Sequence, residues 1–315
     1  MSEDRRQVRV AIAQSSPHYL DLEATLDKTE QLCTEAAAGG AQLVVFGETW
    51  ITGYPTWLDH CSDAALWNHL PTRQVYAALR QASIVIPGPE TERLGRLASE
   101  AKIVIVVGAN ERVDQGAGNG TLFNALLTFD SDGSLVRHHR KLVPTYTERL
   151  VWGEGDAAGL EPVSTRIGRI GGLVCWEHWM PLTRQAMHVW GEDIHVAVWP
   201  TVHEMHQIAS RHYAFEARCF VLAAGSISRV RDLPQQLDWP EKYRHQPEHL
   251  LLRGGSAIIA PDGRYLAGPI YDEETLVTAV LDLEEIDQGK MTLDVTGHYH
   301  RDDIFDMQVI RRRPS

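Results

Sequence analysis

The sequence predicts an α/β fold, formed as one domain of 315 residues, in which buried strands carry helices on one face and another layer on the other. Two observations support this class. Continuous apolar runs such as AQLVVFGE (41–48) and IVIVVGANE (103–111) are typical of strands that are buried on both faces. Segments with apolar residues at helical spacing lie between such runs, and neither an internal repeat nor a low-complexity linker interrupts the chain.

The first half of the chain alternates between strands and helices. Residues 21–38 place apolar side chains at helical spacing, and Gly39-Gly40 predicts the end of that helix, where glycine is favoured. Asp130-Ser131-Asp132-Gly133 is a typical turn between two antiparallel strands. The predicted elements are strand 8–14, helix 21–38, strand 41–48, helix 91–102, strand 103–111, and the hairpin formed by TLFNALLTF and SLVRHHRK around residues 130–133.

The second half continues the alternation. Its predicted elements are strand 170–176, a helix after Pro181, strand 194–200, helix 205–218, strand 219–227, a hairpin over 256–268 and strand 276–284. Residues 229–250 are rich in charge, proline and glutamine, which predicts a long loop. We expect a short C-terminal tail from about residue 306, in which RRR (311–313) is a solvated cluster.

Charge, hydropathy and cysteine usage argue against nucleic-acid binding, membrane insertion and secretion. The formal net charge of −12 argues against a nucleic-acid-binding surface, which needs clustered Lys and Arg. No apolar run has the length of a membrane span, and the charged N-terminal segment MSEDRRQVRV does not resemble a secretory signal. The four cysteines lie far apart without a C-x-x-C pair, which is typical of reduced thiols and predicts a cytoplasmic protein.

Three of the predicted strands are each followed by a side chain that can do chemistry: Glu48, Lys141 and Cys175. Singly, each has a structural interpretation, since a buried thiol, a solvated carboxylate and a surface ammonium are all common. Jointly, they form one sufficient set for nucleophilic catalysis. A thiol needs a base to become a thiolate, and the tetrahedral adduct needs a cation to stabilise its developing charge. Because strand ends are rigid, the three groups can converge on one pocket.

The chain resembles the nitrilase superfamily, and more narrowly its nitrilase branch. The motifs that carry the resemblance are FGETWITGYP (46–55), HRKLVPTYTERLVWGEGD (139–156), GGLVCWEHWMPL (171–182), GGSAIIAPDG (254–263) and DVTGHYHRDDIF (294–305). The resemblance implies an α-β-β-α sandwich that dimerises into an eight-layer α-β-β-α-α-β-β-α assembly. It also implies a triad of Glu48, Lys141 and Cys175 with Glu148 as a second acid beside it, and a reaction that needs no metal or organic cofactor.

The implied function is hydrolysis of an organic nitrile to the carboxylic acid and ammonia through a cysteine thioimidate and then a thioester. Two alternatives stay open. The chain could be an amidase or carbamoylase of the same superfamily, although Cys-Trp-Glu after the strand resembles enzymes that act on nitriles. It could also be a catalytically silent scaffold or filament-forming member, although retention of the four implied catalytic residues argues against silence. The sequence leaves the nitrile, the ratio of acid to amide and the oligomer size undetermined.

The pocket walls are predicted from aromatic and histidine side chains just beyond the strands. We expect Trp50, Tyr54, Trp176, Trp199 and His203 to contact the substrate.

Three further residues within the motifs call for separate interpretation. Glu177 is interpreted as a structural hydrogen-bond partner rather than a catalyst. His178 replaces the Asn that is common after Cys-Trp-Glu in this branch, and Gly47 stands where relatives often carry Pro.

The fifteen histidines do not predict a metal site. His203-Glu-Met-His206 is one residue shorter than H-E-x-x-H, and His138-His139 on a strand would point to opposite faces. We expect a homodimer or a higher homo-oligomer, because one sandwich would leave a partly apolar helix layer exposed.

Overall fold

Two β-sheets lie face to face, with helices on the outer face of each, in the computed structural model of the chain, which describes residues 7–311 and residue 313. This four-layer α-β-β-α sandwich confirms the predicted fold class. None of the helices in the described ranges is long and apolar enough to cross a membrane.

The first sheet combines parallel and antiparallel pairing. It contains β1 (Gln7–Gln14), β2 (Leu43–Phe46), β3 (Val104–Arg112), β4 (Leu122–Phe129), β5 (Leu135–Arg140) and β13 (Thr275–Asp282). Their spatial order is β13-β1-β2-β3-β4-β5. The β1-β2 and β2-β3 pairs are parallel, whereas β3-β4 and β4-β5 are antiparallel, and the β4-β5 pair is the predicted hairpin.

The second sheet is built in the same way. It contains β6 (Val163–Thr165), β7 (Gly168–Val174), β8 (Ile194–Val198), β9 (Phe220–Ala224), β10 (Ile227–Arg229), β11 (Leu250–Ile259) and β12 (Tyr265–Tyr271). The order is β10-β11-β9-β8-β7-β6, and β12 pairs with β11 as the predicted hairpin. The β7-β8 and β8-β9 pairs are parallel, so the carboxyl ends of β7 and β8 meet at one edge.

Helices cover both sheets and connect the strands. The α-helices are α1 (Leu22–Ala38), α2 (Trp57–His60), α3 (Leu70–Ala82), α4 (Pro89–Ala101), α5 (Pro181–His188), α6 (Glu204–Ala217), α7 (Glu241–Arg244) and α8 (Glu284–Lys290). Short 3-10 helices span Tyr146–Leu150, Cys175–Trp179 and Val230–Asp232. The Asp21 side chain caps α1 by accepting a hydrogen bond from the Ala24 N–H at 3.1 Å, and α1 ends at Gly39, as predicted.

The alternation of side chains along β1 shows how the layers are formed. Val10 and Ile12 point into the core between the two sheets, whereas Ala11 and Ala13 point outward. The outward face packs against buried side chains of α1 and α4, among them Leu26 and Leu94. Burial on both faces explains why these strands are continuous apolar runs.

Two regions differ from the prediction. Helices α2 and α3 were not predicted, because α3 buries only the narrow stripe Val75, Leu79 and Ala82. Together with loop residues these helices form a third apolar cluster that includes Trp57, Trp152 and Trp239. The segment 229–250 is largely irregular, as predicted, but contains α7 and packs on this cluster.

The C-terminal segment contacts the body of the protein instead of being solvated throughout. Met307 and Val309 pack against the core between the sheets. The Arg313 Nε atom lies 2.9 Å from the Asp156 carboxylate, and its Nη2 donates to the His138 carbonyl oxygen at 2.9 Å. The solvated interpretation of RRR is therefore wrong for Arg313, while Arg312 lies outside the described residues.

Candidate active site

Cys175 occupies a sharp turn between an apolar strand and a short helix. Strand β7 ends at Val174, and Cys175 begins the 3-10 helix that follows. Its φ of 53° lies in the left-handed region, which is unfavourable for a residue with a Cβ atom. The side chain is only 4% exposed. The turn thus presents a buried thiol at the carboxyl end of a rigid strand.

Glu48 lies two residues beyond the end of β2 and is also buried. Its Oε1 atom accepts hydrogen bonds from the Asn124 side-chain amide at 2.7 Å and from the Lys141 ammonium at 3.1 Å. The Oε2 atom is buried and has no hydrogen-bond partner among the described residues. One carboxylate oxygen is therefore held in place while the other is available for proton transfer.

Lys141 follows β5 directly and places its ammonium between two carboxylates. The Nζ atom donates to Glu48 at 3.1 Å and to Glu148 Oε2 at 2.6 Å. Glu148 lies in the 3-10 helix Tyr146–Leu150, where Oε2 also accepts from the Thr145 N–H at 2.7 Å. Its Oε1 atom accepts from the Tyr54 hydroxyl at 2.8 Å. The lysine is thus a paired buried cation in a fixed position.

Together, burial and the neighbouring charges raise the pKa values of Glu48, Lys141 and Cys175. Burial raises the pKa of Glu48 to about 7; the Lys141 ammonium opposes this shift and Glu148 adds to it. Burial by itself lowers the pKa of Lys141, but the nearby acidic groups Glu48, Cys175 and Glu148 outweigh it, so the pKa is raised and the amine stays charged. Burial and the Glu48 carboxylate raise the pKa of the Cys175 thiol, which Lys141 partly offsets. The thiol therefore needs a base to ionise.

The thiol opens into a cavity of about 450 Å³. Three of the residues predicted to contact substrate, Tyr54, Trp176 and His203, line this cavity together with Cys175 and Glu148. Trp176 is 54% exposed and lies at the cavity wall.

The structure places the other two predicted wall residues elsewhere. Trp50 packs against Phe46 in the outer apolar cluster, and its Nε1 donates to Thr29 of α1 at 2.8 Å. Thr49 has a φ of 47°, and after this turn the Trp50 side chain lies on the helix side of the sheet. Trp199 is fully buried and stacks on His206 with ring centroids 4.4 Å apart, behind the cavity wall. Neither tryptophan lines the cavity, so these two predictions are corrected.

Sequence reasoning missed Asn124 and His206. Asn124 holds Glu48 from β4, and His206 lines the cavity from α6. A signal for Asn124 was present, because it is the polar residue inside the apolar run LFNALLTF, where a buried amide needs a partner. His206 was considered only as a metal ligand. No group of three or more side chains suited to a metal ion occurs among the described residues.

Glu177 connects the lysine segment to the cysteine segment, consistent with its structural interpretation. One carboxylate oxygen accepts from the Leu142 N–H at 2.8 Å, and the other accepts from the Val174 N–H at 2.7 Å. His139 Nε2 lies 3.0 Å from the same group. These contacts hold the pKa of Glu177 at about 2, against the effect of its burial.

Replacement of Glu177 by alanine is expected to destabilise the fold by roughly 3–5 kcal/mol, because it leaves two buried backbone N–H groups and a buried imidazole without their acceptor. Calorimetric unfolding would measure this change. Glu35→Ala on the exposed face of α1 serves as the control and should change stability by less than about 0.5 kcal/mol. Equal effects of the two substitutions would contradict the structural role.

Comparison with known proteins gives matches over nearly the whole chain. The family described as carbon-nitrogen hydrolase matches residues 9–291. The chain is 40% identical to an aliphatic nitrilase from Sinorhizobium fredii (strain HH103) over 304 residues, which cover 96% of this chain and 95% of that protein. It is 38% identical to a bifunctional nitrilase/nitrile hydratase from Lupinus angustifolius over 312 residues, which cover 98% of this chain and 87% of that protein.

Solved structures share the fold at low sequence identity. A carbon-nitrogen hydrolase from Helicobacter pylori G27 superposes with a TM-score of 0.69 at 18% identity, covering 91% of this chain and 93% of that one. A CN-hydrolase superfamily protein from Xanthomonas campestris gives a TM-score of 0.67 at 19% identity, and the match covers 96% of this chain and 99% of that one. These likenesses support the sandwich fold.

Proposed function

The chain belongs to the carbon–nitrogen hydrolase family, and we propose that it is a nitrilase that converts an organic nitrile to the carboxylic acid and ammonia. The observation that carries the proposal is the Lys141 ammonium held between the Glu48 and Glu148 carboxylates, next to a cavity that contains the Cys175 thiol. The printed activities of the relatives, which are 38–40% identical, support the same reaction.

The first half of the reaction forms a covalent intermediate. Glu48 accepts the proton of the Cys175 thiol, and the thiolate attacks the nitrile carbon. The Trp176 backbone N–H hydrogen-bonds to the sulfur and lowers the pKa of the thiol, which favours the thiolate. Protonation of the nitrogen by Glu48 then gives a thioimidate. The raised pKa of Glu48, about 7, suits a group that both takes and gives a proton near neutral pH.

The second half consumes two water molecules. Glu48 activates the first, which adds to the thioimidate, and Lys141 stabilises the charge on the tetrahedral species. Departure of ammonia leaves a thioester, and the second water releases the acid. Glu148 orients the Lys141 ammonium through their contact of 2.6 Å. If the thiolate leaves the tetrahedral species in place of ammonia, the product is the amide. These steps use only side chains of this protein and water.

The cavity favours a neutral nitrile with an aromatic group over cyanide. Its volume of about 450 Å³ exceeds what a diatomic ligand needs, and Tyr54, Tyr146 and Trp176 lie in its walls. Within the described residues, its lining contains the acids Asp59 and Glu148 but neither Lys nor Arg. Burial lowers the pKa values of the lining histidines, so they supply no fixed positive charge. An anionic substrate would therefore lack a counter-charge.

A panel of substrates of graded size, from cyanide through aliphatic to aromatic and arylaliphatic nitriles, tests this function. We expect ammonia release with aromatic and arylaliphatic nitriles, and acid as the main product in chromatography. The matching amides and N-carbamoyl compounds are assayed beside them. Faster turnover of an amide would favour the amidase or carbamoylase alternative, and absence of turnover across the panel would favour the silent scaffold.

The outer face of the second sheet supports a homodimer. Helices α5 and α6 expose large apolar side chains, with exposed fractions of 73% for Leu182, 58% for Met205 and 49% for Ile208. An exposed apolar helix layer of this kind is typical of an interface. Packing two copies through it would form the eight-layer assembly. We also propose a cytoplasmic location, supported by the four free thiols.

Light scattering is expected to give twice the mass of one chain, and Ile208→Glu should shift the mass towards that of a monomer because it buries a charge in the interface. Leu66→Glu, at an apolar residue of similar exposure that belongs to neither α5 nor α6, is the control and should leave the mass unchanged. A monomer in the unsubstituted protein would contradict this assembly.

A further inference from the structure

A buried chain of hydrogen-bonding groups leads from the backbone of Cys175 away from the cavity. His178 Nδ1 lies 2.7 Å from the Cys175 carbonyl oxygen, and His178 Nε2 lies 3.0 Å from His195 Nε2. His195 Nδ1 lies 2.7 Å from Glu192 Oε1. All three side chains are buried, with at most 4% exposed. We call His178, His195 and Glu192 the histidine–glutamate unit.

The backbone leaves room for this unit. His195 on β8 lies beside Gly171 on β7, and a Cβ atom at Gly171 would come within 1.7 Å of Glu192 Oε1. Any larger residue at this position would displace the carboxylate. The Tyr213 hydroxyl donates to the other oxygen of Glu192, so that this oxygen is satisfied too. Gly171 in β7 therefore leaves space for the Glu192 carboxylate, and Tyr213 in α6 binds its second oxygen.

The contacts of the unit require three hydrogen atoms. A carbonyl oxygen can only accept, so His178 must carry its hydrogen on Nδ1. One hydrogen must then lie between the two Nε2 atoms, and one between His195 Nδ1 and Glu192. Two neutral imidazoles and a carboxylate hold only two such hydrogens. With two, a pair of lone pairs would face each other across one of the contacts.

We propose that the histidine–glutamate unit holds a third proton on His195, and that it positions the nucleophile by fixing the Cys175 carbonyl. The unit is then an imidazolium paired with the Glu192 carboxylate and is neutral overall. The His178 ring holds the carbonyl oxygen of Cys175 in place. This contact supports the backbone of Cys175, because its φ of 53° is unfavourable for a residue with a Cβ atom. His178, His195 and Glu192 are positioning residues in this role, since none of them lines the cavity.

Burial opposes a positive charge on the two rings, whereas the hydrogen-bond geometry favours one. Burial lowers the pKa of His178 to about 3 and also lowers the pKa of His195, so that each ring by itself would be neutral. His195 also lowers the pKa of Glu192, which keeps the carboxylate ionised as a partner. The hydrogen-bond geometry favours the shared third proton over opposed lone pairs. The other charged or titratable groups that act on the two rings or the carboxylate are Arg137, Glu177, Arg184, His188 and Tyr213.

Nitrogen NMR on protein with ¹⁵N-labelled histidine counts the protons directly. We expect three of the four ring nitrogens of His178 and His195 to be protonated at neutral pH, with signals assigned by their loss in His178→Phe and His195→Phe. In Glu192→Gln the amide can donate to His195 Nδ1, so only two ring nitrogens should be protonated. Two protonated nitrogens in the unsubstituted protein would overturn the proposal. This measurement does not depend on the proposed function.

The positioning role rests on the proposed function, because it is measured with a nitrile substrate. His178→Phe keeps an aromatic ring but removes the contact with Cys175, and we expect kcat to fall about tenfold with KM little changed. Glu192→Leu should act in the same direction, while Glu192→Gln should restore most of kcat because every contact again has its hydrogen. A change confined to KM, or equal losses in the Gln and Leu variants, would overturn the role. A protein without nitrile turnover would refute the function and leave the proton count standing.

Discussion

Replacement of Cys175 by alanine is expected to abolish nitrile hydrolysis, with a fall in kcat of about four orders of magnitude or more. In the proposed mechanism the sulfur forms the covalent bond to the nitrile carbon, and no other described thiol lines the cavity. The cavity keeps its shape because the substitution removes only one buried atom. Ammonia release under saturating nitrile measures the loss.

A control variant and a second measurement accompany the Cys175→Ala experiment. Cys33→Ala removes a buried thiol from the outer apolar cluster, which contains none of the residues that line the cavity, and should keep turnover within about threefold. Intact-mass spectrometry of the unsubstituted protein, quenched during turnover, should show an adduct that is absent from Cys175→Ala. Ammonia release by that variant at more than a hundredth of the original rate would assign the nucleophile elsewhere.

Replacement of Glu48 by glutamine is expected to reduce kcat/KM by about 10²–10⁴-fold. An amide has nearly the shape of the carboxylate, so its oxygen can keep the contacts with Asn124 and Lys141. It cannot accept the thiol proton, whose transfer is required because the pKa of Cys175 is raised. Intact-mass spectrometry should show less covalent adduct, since formation of the adduct is itself slowed.

The pH profile provides an independent test of the same carboxylate. The base must be deprotonated, and the pKa of Glu48 is raised to about 7, so kcat/KM should rise with pH through that value. This rise should be missing in the residual activity of Glu48→Gln. Glu111→Gln is the matched control, because Glu111 is a buried carboxylate paired with Arg140 outside the cavity. A profile unchanged by Glu48→Gln would exclude Glu48 as the base.

The proximity of the proposed catalytic side chains was predictable because they follow strands. Glu48, Lys141 and Cys175 follow β2, β5 and β7, and each strand was visible as an apolar run. Strands β2 and β5 lie in the first sheet and β7 in the second, and the Lys141 ammonium beyond β5 contacts the Glu48 carboxylate beyond β2 at 3.1 Å. Tyr54, Trp176 and His203 come after β2, β7 and β8 in the chain, and all three line the cavity.

The aromatic side chains show where this reasoning fails. Trp50 is only two residues beyond Glu48, yet it lies on the opposite side of the sheet after the left-handed turn at Thr49. The backbone angles of the turn at residues 48–50 thus set the direction of the Trp50 side chain, and the sequence does not display such angles. Helix α3 was missed because its buried stripe is narrow and its partners are loop residues.

Local pattern alone was enough to establish the α/β class, the order of most elements and the residues capable of nucleophilic chemistry, since these follow from hydrophobic period and residue type. The partners of the buried polar groups came only from the folded chain. Asn124 binds Glu48 across 76 positions, and His195 meets His178 from the adjacent strand. Buried polar groups pair with the polar atoms that face them once water is excluded. Which atoms face each other depends on packing between elements that are distant in sequence.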